Sequence, residues 1–209
     1  MSQENNIAEA RTTEERIKEA AARVFVRKGF AATKTRDIAE EAGINIASLH
    51  YYYRSKEKLF QIVIGEAMRG FSKVMDEIFN SDLPLEVKIR TFVNKYTDFF
   101  RKNPLIPIFI MSESQTNPEK LEKMLSDQKT MDKLQRQLEE LADKGVIRRM
   151  HMAHFMMNLV GMTVFPFVSR PVMLRKLELS PQQYNELLEE RKEMIPEIII
   201  NYMYLKKPD

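Results

Sequence analysis

The 209 residues carry 33 Lys+Arg against 30 Asp+Glu, a formal charge of +3, and are 44% hydrophobic and 30% charged, which is the balance of a folded globular chain and not of a disordered one. Cysteine is absent, so disulfides, thiolate metal centres and a cysteine nucleophile are excluded. With only 6 glycines and 9 prolines there are too few turn residues for a many-stranded sandwich or barrel.

The opening MSQENNIAEA is polar and acidic; it reads as no secretory signal, and a cytoplasmic protein is expected. Thr12 with Glu15 predicts a capping box. The stripe Ile17, Ala20, Ala21, Val24, Phe25 predicts the helix that follows, stopped at Gly29. Residues 23–36 hold Arg23, Arg27, Lys28, Lys34 and Arg36 and no acid, a local basic patch of the kind that suits a phosphate polymer.

Residues 35–42 (TRDIAEEA) then make a short helix with Ile38, Ala39 and Ala42 inward. Gly43 supplies a tight turn, Ile44 plugs the junction, and Asn45 caps a second helix over residues 46–52. Two short helices joined this way predict a helix-turn-helix, whose second member enters a major groove. With Leu49 inward, Ile46, Ala47, Ser48, His50 and a tyrosine face outward. That set is poor for a merely solvated helix and apt for base edges, phosphates and thymine methyls.

Further stripes predict helices over Leu59–Ile78, Leu85–Phe100 (ended by Asn103-Pro104), Leu121–Leu141 (closed by Gly145) and Tyr184–Tyr202, the last after a Ser180-Pro181 start. No stretch alternates at period two, so the fold class is all-α. All nine prolines lie from Pro84 onward, and the expected domains are residues 1–55 and 56–209, joined through a long helix near 56–81. Residues 150–169 carry no Lys, Arg, Asp or Glu. They are nevertheless interrupted by His151, His154, Asn158, Thr163, Pro166 and Ser169, so a buried helix is expected and no membrane partner. His151 and His154 share a face without a third ligand. No Gly-x-Ser-x-Gly elbow, phosphate-cradling loop or dinucleotide fingerprint is present. No metal, cofactor or catalytic residue is expected.

The run GFAATKTRDIAEEAGINIASLHYYYRSKEKLF, residues 29–60, resembles the DNA-binding region of the TetR family of bacterial transcriptional regulators. The recurring features are Gly29-Phe30, Thr33, Ile38-Ala39, Ala42-Gly43-Ile44, Leu49, the aromatic run to Tyr53, and Ser55-Lys56-Glu57 with Leu59. The resemblance covers residues 13–60; beyond that only the all-helical layout is compatible.

The resemblance implies an N-terminal three-helix DNA-binding domain, with a C-terminal helical domain for ligand binding and dimerisation. Thr35 and Arg36 open the first motif helix, where the family meets phosphate and sometimes a base. Ile46, Ala47, Ser48, His50 and Tyr51 sit where the recognition helix meets DNA, and Tyr52 and Lys56 occupy phosphate-contacting positions. Tyr53 is expected to pack beneath the recognition helix. Lys34, Ala47, His50 and Tyr53 depart from the family's usual residues, which alters sequence preference more than fold.

An effector cavity would be lined by Met68, Phe71, Phe92, Tyr96, Phe99, Met111, Phe155 and Met156, apolar and methionine-rich. A two-fold interface would use Phe155, Leu159 and Met162 with Ile195, Ile198 and Tyr202. The expectation is a homodimeric regulator, a repressor and not an enzyme, on a palindromic double-stranded DNA operator and released by a small hydrophobic effector. The alternative is an architectural or partner-recruiting DNA-binding protein without an effector.

Overall fold

The structure, a computed structural model, describes residues 2–125 and 127–205, with side chains from residue 13. These residues form α1 (Ser2–Ala32), α2 (Thr35–Ala42), α3 (Ile46–Tyr52), α4 (Lys56–Asn80), α5 (Leu85–Lys102), α6 (Leu105–Thr116), α7 (Pro118–Glu122), α8 (Gln128–Asp143), α9 (Met152–Lys176) and α10 (Pro181–Met203). Among the described residues the only β-type pairing is an isolated antiparallel bridge, Ile147 with Tyr204.

Contacts gather into two compact units that divide between Met68 and Arg69, inside α4. The opening turns of α4 belong to the first unit because their side chains pack there. Phe60 meets the rings of Phe25 and Phe30 at 5.0 and 4.6 Å, and Glu66 pairs with Lys18 at 2.8 Å.

In the first unit the stripe Ile17, Ala20, Ala21, Val24 and Phe25 is fully buried, as helical spacing requires. The backbone of α1 is helical from Ser2 and continuous through Thr12, so the predicted capping box is not its start; the side chain of Thr12 lies outside the described residues. Gly29 (φ 76, ψ 161) breaks the helix in a conformation that only glycine adopts readily.

The second unit is centred on α5, whose Leu85, Ile89, Phe92, Val93, Tyr96 and Phe100 are buried. Phe92 stacks on Tyr96 at 4.1 Å, and Phe100 meets Phe167 of α9 at 5.3 Å. α9 and α10 pack on this helix and on each other, and α6 packs on α9. The predicted helix over residues 121–141 is two: α7 ends at Glu122 and α8 starts at Gln128 behind the Asp127 cap. α10 begins with the capping box of Ser180 and Gln183.

Two features close backbone groups that would otherwise be orphaned. At the end of α4, Lys88 Nζ donates to Phe79 O (3.1 Å) and Gln137 Oε1 (2.7 Å), Lys133 Nζ to Asn80 O (2.6 Å), and Ser81 Oγ to Ile78 O (2.6 Å). Lys88 is 1% exposed, and burial lowers its pKa from the usual lysine range. In α9, Pro166 has no N–H for the carbonyl of Met162. Arg191 on α10 donates to that carbonyl at 2.9 Å, and Tyr184 donates to Pro166 O at 2.6 Å. The Arg191 bond replaces the one Pro166 cannot make, and α9 runs from Met152 to Lys176 with Pro166 and Pro171 inside it.

Candidate nucleic-acid interface

The α2–α3 corner is built as its sequence dictates. Gly43 takes the left-handed conformation (φ 65), its N–H reaches Ala39 O and Glu40 O, and Ile44 N–H returns to Ala39 O at 3.0 Å, a Schellman closure. Arg16 of α1 donates to Ala42 O at 2.8 Å and ties the corner to the first helix. Asn45 Oδ1 accepts from Ser48 N–H at 2.7 Å and starts α3.

Leu49 is fully buried, which turns Ile46, Ala47, His50 and Tyr51 outward. Tyr51 is 84% exposed. Ser48 and Tyr52 are half-buried; the rings of Tyr51 and Tyr52 meet edge-on at 5.3 Å. Tyr53 is buried beneath α3 and donates to Glu14 Oε1 at 3.2 Å. Burial, then the charge of Glu14, pushes its phenol above the usual tyrosine range, so it stays a donor.

The basic patch of residues 23–36 is not a free one. Glu41 accepts from Arg23 (2.9 Å) and Arg27 (3.0 Å), Asp37 from Lys28 (2.9 Å), and Glu40 from Arg36 (3.0 Å). The sequence run lacked acids, but α2 brings its own acids against it. Lys28 first and the Lys34 backbone N–H second hold the Asp37 carboxyl below the usual range; Arg23 and then Arg27 do the same for Glu41.

A group with a depressed folded pKa contributes stability above its unfolded pKa and loses it as pH falls through the folded value. The first unit is therefore expected to lose helical stability in acid below roughly pH 4. A chain with Asp37→Asn and Glu41→Gln should show a flatter acid limb in circular dichroism; an unchanged limb would deny these pairs a role.

Lys56 is also engaged. Its Nζ donates to Phe30 O and Thr33 O, both at 3.0 Å, and lies 4.4 Å from the Phe30 ring centre. It closes the end of α1 and retains one N–H of three. Among the described residues, the exposed cations beside the motif whose side chains have neither an ion-pair nor a hydrogen-bond partner are Arg54 and Lys58, whereas the charge of Lys34 acts on Asp37. Arg54 and Lys58 were missed in the sequence because their freedom depends on which cations α2 neutralises. Thr35 is half-buried at the start of α2, and Arg36 is exposed.

The second unit distributes its predicted residues differently. Phe71, Tyr96 and Phe99 line one cleft, of about 270 Å³, while Phe155 lines another, of about 210 Å³, with Met162, Ile198 and Tyr202. Phe92 lies in the ring stack, Met156 is half-buried, and Met111 is 50% exposed; Met68 is buried in the first unit.

Of the expected interface residues, Phe155, Leu159 and Ile195 are core of the single chain and Met162 is half-buried, whereas Ile198 and Tyr202 face outward. The outward apolar side chains also include Met157, Phe165 and Val172 of α9 and Leu187 and Met194 of α10. α9 is long and apolar enough to cross a membrane, but it is packed among α5, α6 and α10. His151 Nδ1 accepts from Ala153 N–H and caps α9. Among the described residues no three His, Asp or Glu side chains cluster as a metal site.

Residues 17–63 match the family described as bacterial regulatory proteins, tetR family, and residues 86–199 match the tetracyclin repressor-like C-terminal domain. The chain belongs to the TetR family. It is 22% identical over 178 residues to the probable HTH-type transcriptional regulator YttP of Bacillus subtilis, covering 82% of this chain and 85% of that one. It is 37% identical over 73 residues to the HTH-type transcriptional repressor KstR2 of Mycobacterium tuberculosis, covering 32% and 34% of the two chains. The TetR fold is shared with the transcriptional regulator FadR from Bacillus subtilis, solved in complex with stearoyl-CoA. That comparison gives a TM-score of 0.62 and 17% identity over 88% of this chain and 96% of that one. As a TetR-family member the chain is a transcriptional regulator with a helix-turn-helix for DNA.

Proposed function

We propose that this regulator represses transcription as a homodimer on a palindromic operator and is released by a small hydrophobic effector. The observation that carries the reading is α3: seven residues capped at Asn45, anchored by one buried leucine, with Ile46, Ala47, His50 and Tyr51 left on its outer face. Neighbouring apolar and aromatic groups on the outer face of one short helix suit an interaction surface, and a major groove accepts them. Thr35 and Arg36 at the start of α2, Ser48 and Tyr52 on α3, and the remaining N–H of Lys56 supply backbone and edge contacts. Arg54 and Lys58 add unpaired charge beside them.

The outward apolar faces of α9 and α10 support pairing of two copies, and a dimer places two α3 helices on half-sites one helical turn or a multiple apart. An effector releases the operator to the extent that it binds the two conformations of the dimer unequally.

The test is a mobility-shift assay with fragments from the native gene neighbourhood. Salt-sensitive binding to one fragment is the expected outcome; failure to bind any of them would refute the operator reading. On the bound fragment, Arg54→Ala is expected to reduce the slope of log K against log salt by about 0.9 and to leave sequence preference unchanged. A changed preference would make Arg54 a base reader.

A further inference from the structure

The cleft between α4 and α5 in the second unit has a composition that the general reading does not explain. Its floor is apolar: Phe71 and Tyr96 are buried, and Val74 and Phe99 are half-buried. The Tyr96 hydroxyl is already committed to Phe71 O at 3.0 Å, so the floor offers ring faces and no free polar atom.

Its rim is cationic. Lys95 and Lys102 are exposed on α5, and among the described residues neither has a carboxylate partner. They stand seven positions apart on one helix, about 10 Å along its axis. The one acid on the rim, Asp98, accepts from Lys192 Nζ at 2.6 Å, and its charge is thereby offset. Burial opposes the charge of Lys192, but its bonds to Asp98 and Glu189 outweigh this and hold its pKa above the usual range.

We propose that this cleft is an effector site for a small amphipathic monoanion, a carboxylate or sulfonate on a medium-length acyl chain or on two or three rings. Lys95 and Lys102 select the charge, and Phe71, Val74, Tyr96 and Phe99 take the apolar part. The size fits such a ligand: about 270 Å³ lies just below the usual small-molecule range of roughly 300–1,000 Å³. The cations fit it too, because a charge-assisted bond at the edge of an apolar surface is stronger than one in open water. The proposal rests on the effector-controlled reading above and specifies where the effector sits and what charge it carries.

The probe is 8-anilinonaphthalene-1-sulfonate, followed by fluorescence on the full chain, with decanoate and decanol as competitors. Decanoate is expected to displace the dye at roughly tenfold lower concentration than decanol, the worth of one charge-assisted bond. Lys95→Gln with Lys102→Gln should bring decanoate down to the level of decanol and leave decanol unchanged. Val74→Trp, which fills the cleft, should weaken both competitors.

Equal displacement by the two competitors, or a lysine variant indistinguishable from the wild type, would overturn the proposal. Operator binding is measured on the same preparations. Retained shift with lysine-insensitive decanoate binding removes this site and leaves the regulator reading intact; no shift in any preparation removes that reading instead.

Discussion

A chain carrying Ile198→Glu and Tyr202→Glu is expected to sediment as a monomer and to lose its operator shift at concentrations where the wild type binds. Ile198 is 47% exposed and Tyr202 is 61% exposed on α10. Neither substitution therefore removes a side chain from the core, and the helical content of the monomer should be preserved. In a dimer that covers this face the new carboxylates would be buried without partners. Each uncompensated buried charge costs on the order of 3–5 kcal/mol, or about two to three and a half powers of ten in the dimer constant. Analytical ultracentrifugation reads the assembly and the mobility shift reads the operator. A variant that still pairs would place the two-fold contact on another face.

The second large effect is on stability. Phe100 is fully buried, with ring centres of Phe71 at 5.6 Å, Phe99 at 5.7 Å, Tyr96 at 5.8 Å and Phe167 at 5.3 Å. It joins α4, α5 and α9 within the second unit. Phe100→Ala is expected to cost about 3–5 kcal/mol. At about 2–4 °C per kcal/mol for a chain of this size, that is a fall in Tm of roughly 6–20 °C by thermal circular dichroism. The neighbouring Phe99 is only half-buried, and Phe99→Ala should cost distinctly less. Equal losses for the two would mean that the ring cluster is not centred on Phe100.

Where a short-range rule governs the backbone, the chain was legible before any coordinates. The turn at Gly43, the cap at Asn45, the break at Gly29 and the helix start at Ser180-Pro181 all follow from residues within a few positions of one another, and all stand in the structure. The inward set Ile38, Ala39, Ala42 and Leu49 follows from helical spacing and is buried.

What was not legible depends on residues far apart in the chain. The charge of residues 23–36 reads as free until Asp37, Glu40 and Glu41 are folded against it. Phe155, Leu159 and Ile195 read as one stripe with Ile198 and Tyr202, because a helix apolar on most sides does not reveal which face serves its own chain. The same blindness passed over Met157, Phe165 and Val172. α6, with Pro107 inside it, shows no clean period, and the break between α7 and α8 was hidden by leucines and methionines that happen to keep step across it.

The bond from Arg191 to the Met162 carbonyl has one more implication. In the middle of a helix the carbonyls ordinarily find their partners within the helix itself, so an altered side chain elsewhere leaves that part of the ladder untouched. At Pro166 that autonomy is broken: one rung of α9 is supplied by a guanidinium 29 positions downstream. The two C-terminal helices are therefore knit into a single cooperative element, in which neither can fray in its middle without the other registering the loss.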